Sequence, residues 1–135
     1  MPGAVEIKGY PEFQKALKKI DRDFPKAMQE AGIEVANEWV RAAKGNTTTS
    51  QQSLAATGLR VGPPEPTGGL IVADSPVFQG AEFGGRGRPE TMQFPPHRGQ
   101  RGYFFYPAAR ANADRLNAIW DAGIDKAMAP WNHRE

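Results

Sequence analysis

The chain has 135 residues, a formal net charge of +2 and no cysteine. That length suits one domain with a real core, and the missing thiol excludes disulfides, thiolate metal sites and cysteine catalysis. No apolar run nears the roughly 20 residues that cross a bilayer, and no basic-then-apolar leader opens the chain. The composition therefore points to a soluble, unprocessed protein, compatible with a reducing compartment.

Taken in order, residues 1–9 hold the alternating Val5-Glu6-Ile7-Lys8 and close on Gly9, which predicts a short strand or extended arm. Pro11 suits the first position of a helix. Phe13, Ala16, Leu17, Ile20 and Phe24 then fall at helical spacing, with Lys15, Lys18, Lys19, Asp21 and Arg22 on the other face. Pro25 is expected to break or kink this helix and to begin a second one. That second helix carries Met28, Ala31, Val35 and Trp39, and ends at Lys44-Gly45-Asn46. The uncharged stretch 46–53 (NTTTSQQS) reads as a flexible polar linker.

Residues 54–61 and the apolar run Leu70-Ile71-Val72-Ala73 read as two strands, paired antiparallel across a Gly/Pro-rich turn. Ser75-Pro76 introduces a short helical turn over 78–83. The aromatic run 103–106 reads as a third core strand, with at least two of its rings inside by alternation. Pro107 then opens a long helix of about 22 residues, about 33 Å, followed by a tail over 129–135. The expected fold is a single α+β domain, 1–135. It has a small antiparallel sheet of three to four strands packed against two N-terminal helices and one long C-terminal helix.

Glycine and proline number 15 and 12, and most of them fall within 58–107. They include a loop over 84–102, a length that is usually functional or ordered by a partner. Arginine dominates the stretch 86–115, opposed only by Glu90 and Asp114. Arg86, Arg88, Arg98 and Arg101 are the candidate contacts of this loop, with nucleic acid, an acidic protein surface or solvent as the alternatives. With Phe94, Tyr103 and Phe104 they suit phosphate contact and base stacking. Arginine–phosphate contacts alone carry no sequence information.

Catalysis finds little support. His97 and His133 lack metal-ligand spacing, and the hydroxyls of 47–53 have no visible base. Gly84-Gly85-Arg86-Gly87-Arg88 lacks the Gly-Lys-Ser/Thr ending of a phosphate loop. No catalytic residue, metal ligand or cofactor is assigned, and the expectation is a non-enzymatic protein. Glu82, between apolar neighbours in Ala81-Glu82-Phe83-Gly84, is expected to anchor a loop by hydrogen bonds or to pair with Arg60 or Arg110, with a solvent-exposed side chain as the alternative. Glu82, Phe83, Gly84, Tyr103, Phe104, Phe105 and Pro107 form the set of structural anchors.

Several phrases recur here in a recognisable order: Ile7-Lys8-Gly9-Tyr10-Pro11-Glu12-Phe13, Thr57-Gly58-Leu59, Ala81-Glu82-Phe83-Gly84-Gly85, and Tyr103-Phe104-Phe105-Tyr106-Pro107-Ala108-Ala109. Together they resemble the small tail-completion and head–tail joining proteins of long-tailed double-stranded DNA phages, a group that includes minor tail protein Z-like members. The resemblance implies a structural virion subunit of the neck or upper tail, made in the host cytoplasm. Such subunits form homo-oligomeric rings, commonly hexamers, around the DNA channel. The implied partners are further copies of the chain, other neck and tail proteins and, without sequence preference, genomic DNA; no membrane is implied. A tail terminator ring capping the tail tube is the alternative within the same group, and a small nucleic-acid-binding module is the alternative outside it.

Overall fold

Small side chains at helical spacing set the architecture. A helix lined with alanine can lie close against its neighbours, so a modest number of large residues suffices to fill the space between them. The computed structural model describes residues 10–63, 68–85 and 93–132, with side chains for 14–130 within those spans. The arm expected over 1–9 lies outside the described residues.

The first helix, α1 (Tyr10–Lys44), runs unbroken, with Pro25 inside it. The expected division into two helices is therefore overturned. An internal proline removes one backbone bond and costs about 3 kcal/mol. Long helical runs on both sides and the packing of Ala31, Ala36, Val40 and Ala43 beyond the proline offset that cost. Ala16, Ala31, Ala36, Val40 and Ala43 are all buried along this helix.

The expected linker over 46–53 is also overturned, because it contains the start of a helix, α2 (Ser50–Thr57). Thr49 is the cap: its hydroxyl accepts from the Gln52 N–H at 3.1 Å, while the Gln52 side-chain carbonyl accepts from the Thr48 N–H at 2.8 Å. This reciprocal arrangement satisfies donors that a helix start leaves open. It also accounts for the burial of Gln52. Of the strand expected over 54–61, only β1 (Leu59–Val61) is extended. It pairs antiparallel with β2 (Ile71–Ala73), with Leu59 opposite Ala73 and Val61 opposite Ile71.

A short helix, α3 (Phe78–Phe83), follows. The run 103–106 does not form a third strand. Instead it enters a helix, α4 (Phe105–Ala111), which continues as α5 (Ala113–Ala127) and α6 (Ala129–Asn132). A strand sends neighbouring side chains to opposite faces, yet Phe104 and Phe105 are both buried. The α+β fold with three to four strands is therefore wrong: the chain is mostly helical, with one two-stranded sheet among the described residues.

The single long C-terminal helix is overturned too, and Asn112 supplies the reason. Its side-chain amide donates to the Ala108 carbonyl at 2.8 Å, and its backbone leaves the helical region at φ −112°, ψ 18°. An asparagine that bonds back to the preceding turn competes with helix continuation. The expected tail over 129–135 is helical through Asn132.

The ion pairs show that α5 runs antiparallel to α1. Arg115 reaches Glu38 at 2.7 Å, and eleven residues further along α5 Lys126 reaches Glu30 at 3.7 Å. Glu38 also binds Arg41, one turn on. Its side chain is only 11 % exposed. The Arg41 guanidinium, joined by Arg115, holds the Glu38 carboxyl below the usual carboxylate range, against the opposing effect of burial. A depressed folded-state value means stability that is present above the unfolded value of about 4.3 and is lost as pH falls through the folded value. Glu38→Gln is expected to flatten that acid limb. Urea melts of both proteins across the acid range check this, and parallel pH profiles would exclude Glu38 as a source.

Candidate functional site: a buried carboxylate clamp beneath an arginine turn

The two stretches singled out in the sequence, 81–85 and 103–109, meet at one side chain. Glu82 is completely buried and lies near the end of α3. Its Oε1 accepts the backbone N–H groups of Tyr103, Phe104 and Phe105 at 3.1, 2.8 and 2.8 Å, and its Oε2 accepts that of Tyr106 at 2.8 Å. The last three are the open donors at the start of α4, and the Tyr103 N–H just precedes them. Pro107, next in line, has no N–H to satisfy, and the Ala108 N–H makes the first return bond, to the Phe104 carbonyl at 3.1 Å. Glu82 thus caps a helix from a distant part of the chain. A carboxylate is well placed there, because the N-terminal end of a helix carries partial positive charge. Charge-assisted bonds of this kind are about twice as strong as neutral ones.

The expected arginine partners of Glu82 are elsewhere. Arg60 pairs with Asp74 across the β1–β2 hairpin at 2.8 Å, and the Arg110 guanidinium donates to the Arg101 carbonyl. No cation pairs with Glu82 among the described residues.

The carbonyls of the clamped segment are held from the opposite side. Trp39 Nε1 donates to the Phe105 carbonyl at 2.8 Å, and the Asn46 side-chain amide donates to the Phe104 carbonyl at 3.0 Å. Trp39 also stacks on the Phe105 ring with centroids 4.5 Å apart. Phe78 stands edge-on to Phe104 and Phe105 at 5.9 and 5.5 Å, and Phe83 meets Phe78 and Tyr106 at 6.2 and 6.1 Å. Phe104 and Leu59 are the largest apolar side chains that are fully buried among the described residues. With so few large residues inside, the clamp carries an unusual share of the fold. Trp39→Phe keeps the ring stack and removes the hydrogen bond, so a loss of about 1–2 kcal/mol is expected, read as a lower urea midpoint at unchanged slope.

Two glycines let the loop close on this site. Gly102 has φ 72° and ψ 175°, a region reserved for glycine, and a methyl group there would overlap the Glu82 carboxylate. Gly84 has φ 86° and ψ 165°, and a methyl group there would overlap the Pro96 carbonyl. The second half of the loop then folds back over α3. The Gly85 N–H bonds to the Pro95 carbonyl and the Arg98 N–H to the Phe83 carbonyl, both at 2.7 Å. The Tyr103 hydroxyl donates to the Pro96 carbonyl at 2.6 Å. Residues 93–102 are therefore tied by hydrogen bonds to α3 and to Tyr103 of the same chain. Arg86 and Arg88 lie outside the described residues.

Arg98 and Arg101 sit on this folded-back half, and both are exposed. The Arg98 guanidinium lies 3.9 Å from the centre of the Tyr103 ring and donates to the Gly102 carbonyl at 3.5 Å. Arg101 closes a 3-10 turn, Gly99–Arg101. Arg110, exposed on α4, reaches the same turn through the Arg101 carbonyl. Phe94 covers the Gly80 backbone and helps line a shallow groove of about 540 Å³ with Gln79, Phe83, His97 and Gln100. No group of three or more acidic or histidine side chains is arranged to hold a metal among the described residues, and no described helix is long and apolar enough to cross a membrane.

Sequence reasoning reached Glu82 and its aromatic neighbours but missed three participants. Trp39 and Asn46 act through side-chain bonds to distant carbonyls, which leave no local pattern. Gly102 reads in the sequence as the end of a loop; its position one residue before four aromatic residues, whose N–H groups Glu82 holds, is the available signal. No protein-family model, no curated protein and no solved structure matches the chain.

Proposed function

We propose that this chain is a non-enzymatic structural subunit of a phage neck or upper tail, working as one member of a homo-oligomeric ring around the DNA channel. The observation that carries the reading is the Glu82 clamp. The two phrases that resemble tail-completion and head–tail joining proteins, Ala81-Glu82-Phe83-Gly84-Gly85 and Tyr103-Phe104-Phe105-Tyr106-Pro107-Ala108-Ala109, are the two halves of a single hydrogen-bonded unit. Two stretches about twenty residues apart have a physical reason to occur together if each completes the other. The buried carboxylate is spent on backbone donors, a holding role. The unit also fixes an exposed arginine turn on a rigid mount, which suits contact between particle components.

The test is genetic. Particles made without this chain are expected to accumulate as filled heads and unattached or unfinished tails. Normal infectious particles from the deletion would overturn the reading. Locating the chain in a particle reconstruction separates a head–tail joining ring from a terminator ring on the tail tube.

A further inference from the structure

The described arginines divide into two groups. Arg22, Arg41, Arg60 and Arg115 each bind a carboxylate. Arg98, Arg101 and Arg110 bind none among the described residues; Arg98 lies over a tyrosine ring, and Arg98 and Arg110 donate to backbone carbonyls. All three are exposed, and they are gathered around one turn. The result is a fixed surface of uncompensated positive charge.

The outer face of α5 is its complement. Its two cations, Arg115 and Lys126, are drawn to acids of α1. Asp114, Asp121 and Asp125 are exposed and have no cation partner among the described residues. At about 100° per residue these three fall within roughly 40° of one another. The half-buried Leu116 and Gly123 and the buried Ala127 fall on the opposite side, toward α1. The acidic stripe is therefore directed away from the body, over about 16 Å of helix.

We propose that the Arg98–Arg101–Arg110 surface docks on the acidic α5 face of a second copy of this chain. The contact is heterologous: each copy offers the basic face to one neighbour and the acidic face to the other, which generates a closed ring or an open filament. The inference rests on the ring reading above and adds which faces meet. Opposed potentials favour this encounter and set its register, and like charges brought together suppress it. A basic surface alone would equally suit a nucleic-acid backbone; the unpaired acids on the same chain favour a second copy.

The experiment uses the full chain in low-salt buffer, by sedimentation velocity over a concentration series. The native chain is expected to self-associate, more weakly as salt rises. Arg98→Glu with Arg101→Glu, and separately Asp121→Lys with Asp125→Lys, are each expected to weaken association at least about tenfold. All four sites are exposed, and circular dichroism confirms that each variant is folded. Mixing the two variants, or combining all four changes in one chain, is expected to restore association. Variants that associate like the native chain would overturn the docking and leave the ring reading intact. A native chain that stays monomeric throughout would also overturn it, and the deletion experiment would then judge the ring reading separately. Retention on duplex DNA that is lost with Arg98→Glu and Arg101→Glu, without self-association, would overturn it in favour of nucleic acid.

Discussion

Replacing Glu82 with alanine is expected to remove a large share of the stability of this fold. Four backbone donors lose their acceptor at once in a fully buried place. Bonds to a charged group contribute about 1.5–3 kcal/mol each, and a buried donor left unpaired costs about 1–3 kcal/mol. The contributions are not additive, but a loss of about 4 kcal/mol or more is expected against the 5–15 kcal/mol typical of a domain. Glu82→Gln gives the graded version. Its carbonyl oxygen can still serve the three donors grouped on Oε1, while its NH₂ group faces the Tyr106 N–H. A cost of about 2–3 kcal/mol is expected. Urea denaturation of both variants checks the order, and a Glu82→Gln midpoint equal to that of the native chain would remove the carboxylate from its central place.

Gly102→Ala is expected to cost about 3 kcal/mol or more, from two sources. The backbone region itself penalises a side chain by about 1–3 kcal/mol, and the added methyl meets the Glu82 carboxylate. The second source predicts coupling. In a Glu82→Ala background the carboxylate is gone and the methyl has space, so the double variant is expected to be more stable than the sum of the single losses by about 1 kcal/mol. Strict additivity would show that the cost at Gly102 is purely backbone. Denaturation midpoints of the four proteins in the cycle decide it.

These two effects explain how much of the molecule could be read from the chain. Periodicity located the α1 and α5 surfaces, because alanine and larger apolar residues recur there at helical spacing. It failed at Pro25, where a local breaker is outweighed by helix on both sides and by the packing of Ala31, Ala36, Val40 and Ala43. It failed again at 46–53. The Thr49-to-Gln52 spacing was a capping signal, masked by a composition that looks like a linker. The aromatic run 103–106 misled most, since its residue types favour strands. Its two adjacent buried rings sit where the chain turns into a helix, and what holds that turn is a carboxylate some twenty residues earlier. Long-range side-chain caps have no local periodicity, so Trp39, Asn46 and Gly102 were invisible as members of the site.

The arginine turn, Gly99–Arg101, is separated by one glycine from residues 103–106, whose N–H groups Glu82 holds. A weakened clamp is therefore expected to loosen the face proposed for docking before the helices melt.

Amide hydrogen exchange in the native chain, resolved by NMR, reads the clamp without any substitution. If Glu82 holds the entry to α4, the N–H groups of Phe104 and Phe105 exchange only with global unfolding, as slowly as the amides at the centre of α1. Exchange of those two amides at the rate of exposed turn residues, while the α1 amides stay protected, would contradict the account.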